Sequence, residues 1–282
     1  MLRQCGGRDV HYLNIFGYGF MLRAFAAALC ISVIAPCIGM VIVLKRLSAI
    51  GDATSHSALA GIAAGLAFGF NPVLGAVVFS VLAVFAVEGF RKAFGRYADL
   101  APVVVLSAGV GLTAVFSGFI SGSSANLNSF LFGSIVTVSN FEMYLTLGLS
   151  CAVLVMTVLL YRELFCIAFD EDAAKLSKVP VKTVNFIFMI MTAVTVSVAS
   201  RTVGALMISS LMVIPVACAM TVAKSYGRAM VLSVMFALFF TVAGLFISFY
   251  VQPGIGDLKP GGTIVLTGIA VLVVLLTVKR RR

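Results

Sequence analysis

The sequence predicts an all-α, polytopic transmembrane helical bundle of about eight to nine spans, on three observations. Of the 282 residues, 61% are hydrophobic and only 11% are charged, whereas a water-soluble domain carries about 25% charged and 45–50% apolar residues. The mean hydropathy is +1.14, which leaves too little polar surface to cover a soluble globule. Apolar runs of spanning length recur along the chain, and at about 30 residues per span and loop its length fits roughly eight to ten crossings. A soluble enzyme, a disordered chain and a small disulfide-stapled secreted domain are excluded.

The first apolar run covers residues 20–44 and stops at Lys45-Arg46. The second, 53–70, stops at the Asn71-Pro72 turn signal. The third, 73–90, ends in Arg91-Lys92, with Arg96 and Asp99 close behind. A fourth covers 101–120 and is followed by the polar loop 121–128. A short apolar piece at 130–138, read as a partial helix, precedes the fifth run, 141–161. The longest polar stretch, 162–182, contains Asp170-Glu171-Asp172 with Lys175, Lys178 and Lys182. Runs at 184–199, 203–222, 230–251 and 263–278 complete nine candidate spans, and the chain ends in Lys279-Arg280-Arg281-Arg282. The whole chain, 1–282, reads as one transmembrane domain. It has a short N-terminal segment at 1–19 and candidate cytoplasmic loops at 162–182 and 215–229.

Twenty basic residues against ten acidic ones give a net charge of +10. In a membrane protein such an excess collects in cytoplasmic loops and sets orientation, so nucleic acid is not expected as a partner. With the C-terminal tail placed inside and the spans alternated, 15 of the 20 basic residues fall on the cytoplasmic side. Arg3, Arg8, Arg23, Arg201 and Lys259 remain outside. The six cysteines are scattered singly with no C-x-x-C, so neither a disulfide framework nor a zinc knuckle is read. The N-terminal segment leads into an apolar run too long for a signal-peptide core, and no cleavable signal is expected. Gly61, Gly65 and Gly69 recur every four residues, a spacing that lets two helix backbones approach closely.

Acidic residues and histidines are scarce enough to weigh individually. Asp9, Asp99, Asp170, Glu171, Asp172 and Asp257 read as solvated loop charge. Glu88 and Glu163 sit beside basic clusters, where ion pairing explains them. Glu142 stands at the start of the fifth span, and His11 lies in the polar N-terminal segment. Asp52 and His56 are different: four residues apart, they share one face of a helix at the opening of an apolar span. Ionisable residues inside a membrane are costly and are functional candidates. A carboxylate oxygen and an imidazole nitrogen at this spacing suit a divalent transition ion. The alternative is structural: Asp52 follows a glycine and caps the helix by accepting from the Ser55 backbone N–H. By simple alternation Asp52 stands near the cytoplasmic start of its span, and a bend of Lys45-Arg46 back into the interface would place it deeper. Two ligands do not complete a metal site, but a two-fold dimer would double them. There is no G-x-x-x-x-G-K-[ST] loop, so this chain is not expected to hydrolyse ATP. No nucleophile–base set stands out, and an enzyme is not expected.

The segment from Lys45-Arg46 through Gly51-Asp52-Ala-Thr-Ser-His56 resembles the signature of the metal-type ABC permeases, the membrane subunits of bacterial zinc, manganese and iron importers. The resemblance continues in Phe130-Leu-Phe-Gly-Ser134. It recurs in Val203-Gly204-Ala205-Leu206-Met207 running to Ile214-Pro215-Val216-Ala217-Cys218-Ala219, where Val216 and Cys218 depart from the family's usual residues. The resemblance implies the permease fold of metal-chelate and cobalamin-type ABC importers. It further implies a homodimer in the bacterial cytoplasmic (inner) membrane, paired with cytoplasmic ATPase subunits and supplied by an extracellular metal-binding protein. Asp52 and His56 would contact the divalent ion, which is substrate rather than a permanently bound cofactor. Two loops are candidates for ATPase coupling. The favoured one, from Pro215 to Lys224 and Arg228, resembles the coupling segment of the cobalamin and siderophore importers. The other, Asp170 to Lys178, carries Glu171, Lys175 and Lys178, and its acidic start and basic end suit a short helix dipole. The competing reading is a stand-alone secondary transporter or channel for divalent cations.

Overall fold

The computed structural model describes residues 19–120, 140–250 and 259–280, and every regular element among them is helical. Helix α1 (Gly19–Leu44) leads into α2 (Ile50–Phe68) and α3 (Pro72–Phe94). A 3-10 turn (Gly95–Tyr97) then precedes α4 (Leu100–Ser117). Further on come α5 (Asn140–Leu159), α6 (Tyr161–Phe169) and α7 (Glu171–Leu176). Helices α8 (Val181–Thr202), α9 (Ala205–Val222), α10 (Tyr226–Tyr250) and α11 (Pro260–Arg280) complete the bundle. The segments Phe130 to Ser134 and 1–18, with Arg3, Arg8 and His11, lie outside the described residues, as do Asp257 and the Glu142 side chain.

Among the described residues seven helices are long and apolar enough to cross a membrane. Helices α5 and α6 meet at 69° across a short break and add an eighth crossing if taken together. The protein is therefore a multi-pass membrane protein. Each of the nine expected runs corresponds to a helix, but α2 is not one of the seven. Its first two turns carry Asp52, Thr54, Ser55, His56 and Ser57, which dilute its apolar character. It is buried almost continuously from Ile50 to Gly65, packed between α3 and α4 and touching α8 and α9. A helix lined by other helices tolerates polar residues that lipid would reject.

Local sequence explains the boundaries. The Asn71 side chain accepts from the Val73 N–H at 2.9 Å with Pro72 in the first turn, a standard start for α3. Helix α1 closes with Arg46 at φ +57°, its N–H bonded to Val43 O and the Leu47 N–H bonded to Ile42 O. This is a Schellman termination with arginine in the place usually given to glycine. Leu47 is then buried, so the chain folds back at once instead of running on into solvent. The same motif closes α7, with Lys178 at φ +59° and the Val179 N–H bonded to Ala174 O.

The polar stretch 162–182 is not a loop but two short helices. In α6, Leu164, Ile167 and Ala168 are buried, and the rings of Tyr161, Phe165 and Phe169 gather on Tyr226 at the start of α10. In α7, Asp170 caps the backbone amides of Asp172 and Ala173, and Lys175 pairs with Asp172 at 2.9 Å. The candidate loop over 215–229 is also mostly helix. Pro215 is buried inside α9, and only residues 223–225 connect α9 to α10.

The basic turns cluster at one end of the bundle. Lys45 Nζ donates to Asn185 Oδ1 at 2.6 Å. Burial pushes its ammonium below lysine's ordinary range, with the negative charges of Glu171 and Glu88 opposing and Arg91 reinforcing the shift. Glu88 itself pairs with Arg91 at 3.0 Å and Lys92 at 3.4 Å, as its neighbourhood predicts. Glu163 does not follow that expectation: its Oε2 is buried with no hydrogen-bond partner among the described residues.

Candidate functional site

The site is built on the first two turns of α2. The helix begins at Ile50, and its N-cap position is Ala49, with no side-chain cap bond. Asp52 therefore stands inside the first turn and does not cap the helix. Its carboxylate is half-buried and has no hydrogen-bond or ion-pair partner among the described residues. Asp52 and His56 are close enough for the carboxylate charge to act on the imidazole. By contrast, the neighbouring hydroxyls are spent on the helix itself. Thr54 Oγ1 donates to Ile50 O at 2.7 Å, Ser55 Oγ to Gly51 O at 2.7 Å and Ser57 Oγ to Ala53 O at 2.8 Å.

Three contacts place this pair well inside the bundle. Gly51 lies against Ser209 and the Met212 sulfur, in the interior of α9. Thr54 O accepts from Ser80 Oγ, near the middle of α3, at 3.4 Å. The backbone of His56 and Ser57 rests on Gly109, halfway along α4. The reversal at Arg46 carries the chain back to the level of the middle of α3 and α4. An ionisable group inside a membrane is costly.

Asp52 also lines a cleft of about 720 Å³ between the start of α2, one face of α9 and the first turns of α11. Ser48, Met207, Ser209, Ser210 and Gly261 share its wall. Leu206 and Leu266, also on the wall, are 41% and 67% exposed, so the cleft is open at the surface of the single chain. His56 is not part of the cleft lining; its carbonyl accepts from Thr113 Oγ1 of α4 at 3.5 Å. Sequence reading missed the α9 wall. The signal was there as Ser209-Ser210, a pair of hydroxyls in the middle of an otherwise apolar run.

Among the described residues no group of three or more His, Cys, Asp or Glu side chains converges on one point. Asp52 and His56 thus stand one helical turn apart with no third such side chain beside them among the described residues. Of the coupling candidates, Glu171, Lys175, Lys178, Lys224 and Arg228 are exposed, whereas Pro215 is buried. Leu176, at the end of α7, is 87% exposed.

The structure is that of a multi-pass helical membrane protein with a half-buried Asp–His pair on a helix packed among the others. The comparisons with known proteins agree. Residues 17–279 match the ABC 3 transport family, and the chain belongs to that family. It is 33% identical over 261 residues to a "Probable metal transport system membrane protein" of Treponema pallidum, covering 92% of this chain and 95% of the relative. It is 30% identical to the manganese import system permease protein ScaB of Streptococcus parasanguinis, over 85% of each chain. Among solved structures it is similar to PsaBC from Streptococcus pneumoniae in complex with Fab, with a TM-score of 0.82, 27% identity and 94% of each chain covered. A metal-chelate type ABC transporter in an inward-facing conformation shares the fold at a TM-score of 0.70 and 17% identity, over 98% of this chain and 91% of that one.

Proposed function

We propose that this chain is the permease subunit of an ATP-driven importer for a divalent transition metal ion in a bacterial cytoplasmic membrane. Manganese is the first candidate, with iron and zinc behind it. The observation that carries the reading is the unpartnered Asp52 carboxylate at mid-height, one helical turn from His56 and open to a cleft. A carboxylate supplies a hard oxygen and an imidazole a borderline nitrogen, a set that suits manganese, iron and zinc alike. The manganese preference comes from the names of relatives such as ScaB.

The exposed wall of the cleft fits a homodimer. An ionisable group cannot be left facing hydrocarbon, and a second copy across a two-fold axis covers both openings. It also doubles the ligand set to two aspartates and two histidines around one axis. The ion is then substrate, held transiently and passed on. An extracellular binding protein delivers it at the end away from the basic turns, and cytoplasmic ATPase subunits dock at the basic end.

For that docking, the geometry moves the preference from the Pro215–Arg228 segment to α7. Pro215 is buried and only three residues connect α9 to α10. Helix α7 is a short capped surface helix with Glu171, Lys175 and Lys178 exposed and Leu176 projecting outward. An exposed leucine ringed by charges is the pattern of a small docking surface. The test is uptake of radioactive manganese by vesicles holding this chain, with and without ATP and the ATPase subunit. Uptake that requires both is the expected result. Uptake by this chain alone would establish the secondary transporter instead.

A further inference from the structure

Ser209 and Ser210 share the cleft with Asp52, and both spend their one hydrogen in the same place. Ser209 Oγ donates to Leu206 O at 3.2 Å and Ser210 Oγ donates to the same oxygen at 2.9 Å. A hydroxyl has a single hydrogen and two lone pairs. With the hydrogen held by the preceding turn, each oxygen keeps only acceptor capacity. Such an oxygen serves a cation and repels an anion. Thr54, Ser55 and Ser57 are bonded in the same way, but they are buried in helix contacts and none of them lines the cleft. Ser48 shares the cleft as well, but the two serines of α9 are the cleft hydroxyls whose hydrogen is committed to the helix, leaving oxygens that can only accept beside the Asp52 carboxylate.

Met207 lines the same cleft. Its thioether is soft and polarisable. Calcium and magnesium take oxygen ligands almost to the exclusion of sulfur, while the later transition ions accept softer donors. One face of α9 thus adds two neutral oxygens and one sulfur beside the Asp–His pair on α2, without adding charge that would trap the ion.

We propose that Ser209 and Ser210 are further ligands of the transported cation and that Met207 biases the passage toward transition ions over calcium. The proposal rests on the metal-permease reading of Asp52 and His56. It is tested on the full transporter, this chain with its ATPase subunit, in vesicles, with radioactive manganese as the probe and calcium as competitor. The double variant Ser209→Ala with Ser210→Ala is expected to raise the manganese concentration for half-maximal uptake about tenfold or more. The double threonine variant, which keeps both oxygens, is expected to restore it. Met207→Leu, assayed with radioactive zinc against calcium, is expected to reduce the preference for the transition ion about tenfold. Wild-type half-saturation in the double alanine variant, in preparations where Asp52→Ala has lost uptake, would overturn the role of the serines. An unchanged preference in Met207→Leu would overturn the role of the sulfur. No ATP-dependent uptake by the wild-type complex would overturn the underlying reading itself.

Discussion

Gly109 lies against the backbone of His56. A Cβ added at Gly109 would stand 3.1 Å from the His56 carbonyl carbon and 2.9 Å from the Ser57 amide nitrogen. One turn further along α4, Thr113 reaches the His56 carbonyl. The height and rotation of α2 at its histidine are therefore set by α4 through direct backbone contact. Gly109 is a positioning residue: it touches the peptide that carries the imidazole and never the ion.

Gly109→Ala should push α2 and α4 apart by a few tenths of an ångström. Overpacking of this kind costs about 1–3 kcal/mol. Manganese uptake per folded transporter is expected to fall, with a rise in half-saturation that exceeds any loss of maximal rate. Gly109→Leu should prevent the helix pair from forming and reduce the amount of protein in the membrane. Uptake at wild-type affinity in Gly109→Ala would show that His56 does not depend on this contact.

Asp52→Ala and His56→Ala are each expected to abolish uptake while the protein still inserts at wild-type level. Asp52→Asn makes the sharper measurement, because it keeps shape and removes charge. Asp52 does not cap its helix, so neither change should cost the stability that loss of a cap would, about 1 kcal/mol. Thermal unfolding in detergent checks that half of the prediction, and uptake checks the other.

The pair on α2 was legible because it is scarce: one carboxylate and one imidazole at helical spacing in an apolar run. The fold class was legible for the complementary reason, since apolar runs of spanning length allow little else. Depth was not legible, because it depends on the reversal at Arg46. A glycine at that point would have announced a helix end, whereas arginine with φ +57° does not. Helix α6 was hidden because Arg162 and Glu163 open a polar stretch, whereas the acidic start and basic end of 170–178 do suit the short helix α7; Asp170 as its cap looks in sequence like any loop aspartate. Pro215 stood both inside the 203–222 run and at the start of a candidate coupling loop, and it lies inside α9. Such prolines persist in membrane helices because surrounding groups compensate for the missing bond.

Charge reversal separates the two coupling surfaces. Lys175→Glu with Lys178→Glu, or Leu176→Asp alone, is expected to remove stimulation of the ATPase by the permease. Lys224→Glu with Arg228→Glu is expected to have a smaller effect. ATPase activity of the reconstituted complex is the measurement. The opposite ranking would place docking on the turn between α9 and α10.

The glycine pattern on α2 makes predictions of opposite sign at residues of the same type. A Cβ on Gly61 would fall on the carbonyl of Gly75, and a Cβ on Gly75 would fall on the carbonyl of Gly61. Two backbones are in contact there, as the four-residue spacing of small residues suggests, and Gly65 meets Pro72 in the same way. Gly69 breaks the series: it caps α2 at φ +75° and has nothing within reach of a Cβ. Gly111, inside α4, also has open space beside it. Gly61→Ala must displace backbone and should destabilise by about 1–3 kcal/mol. Gly111→Ala meets nothing and should stabilise by about 0.5–1 kcal/mol, through helix propensity and a less flexible unfolded chain. Thermal unfolding of the two variants in one detergent is the comparison. Equal shifts would mean that α2 and α3 are not in backbone contact, and the packing that holds Asp52 at mid-height would have to come from α4 and α9 alone.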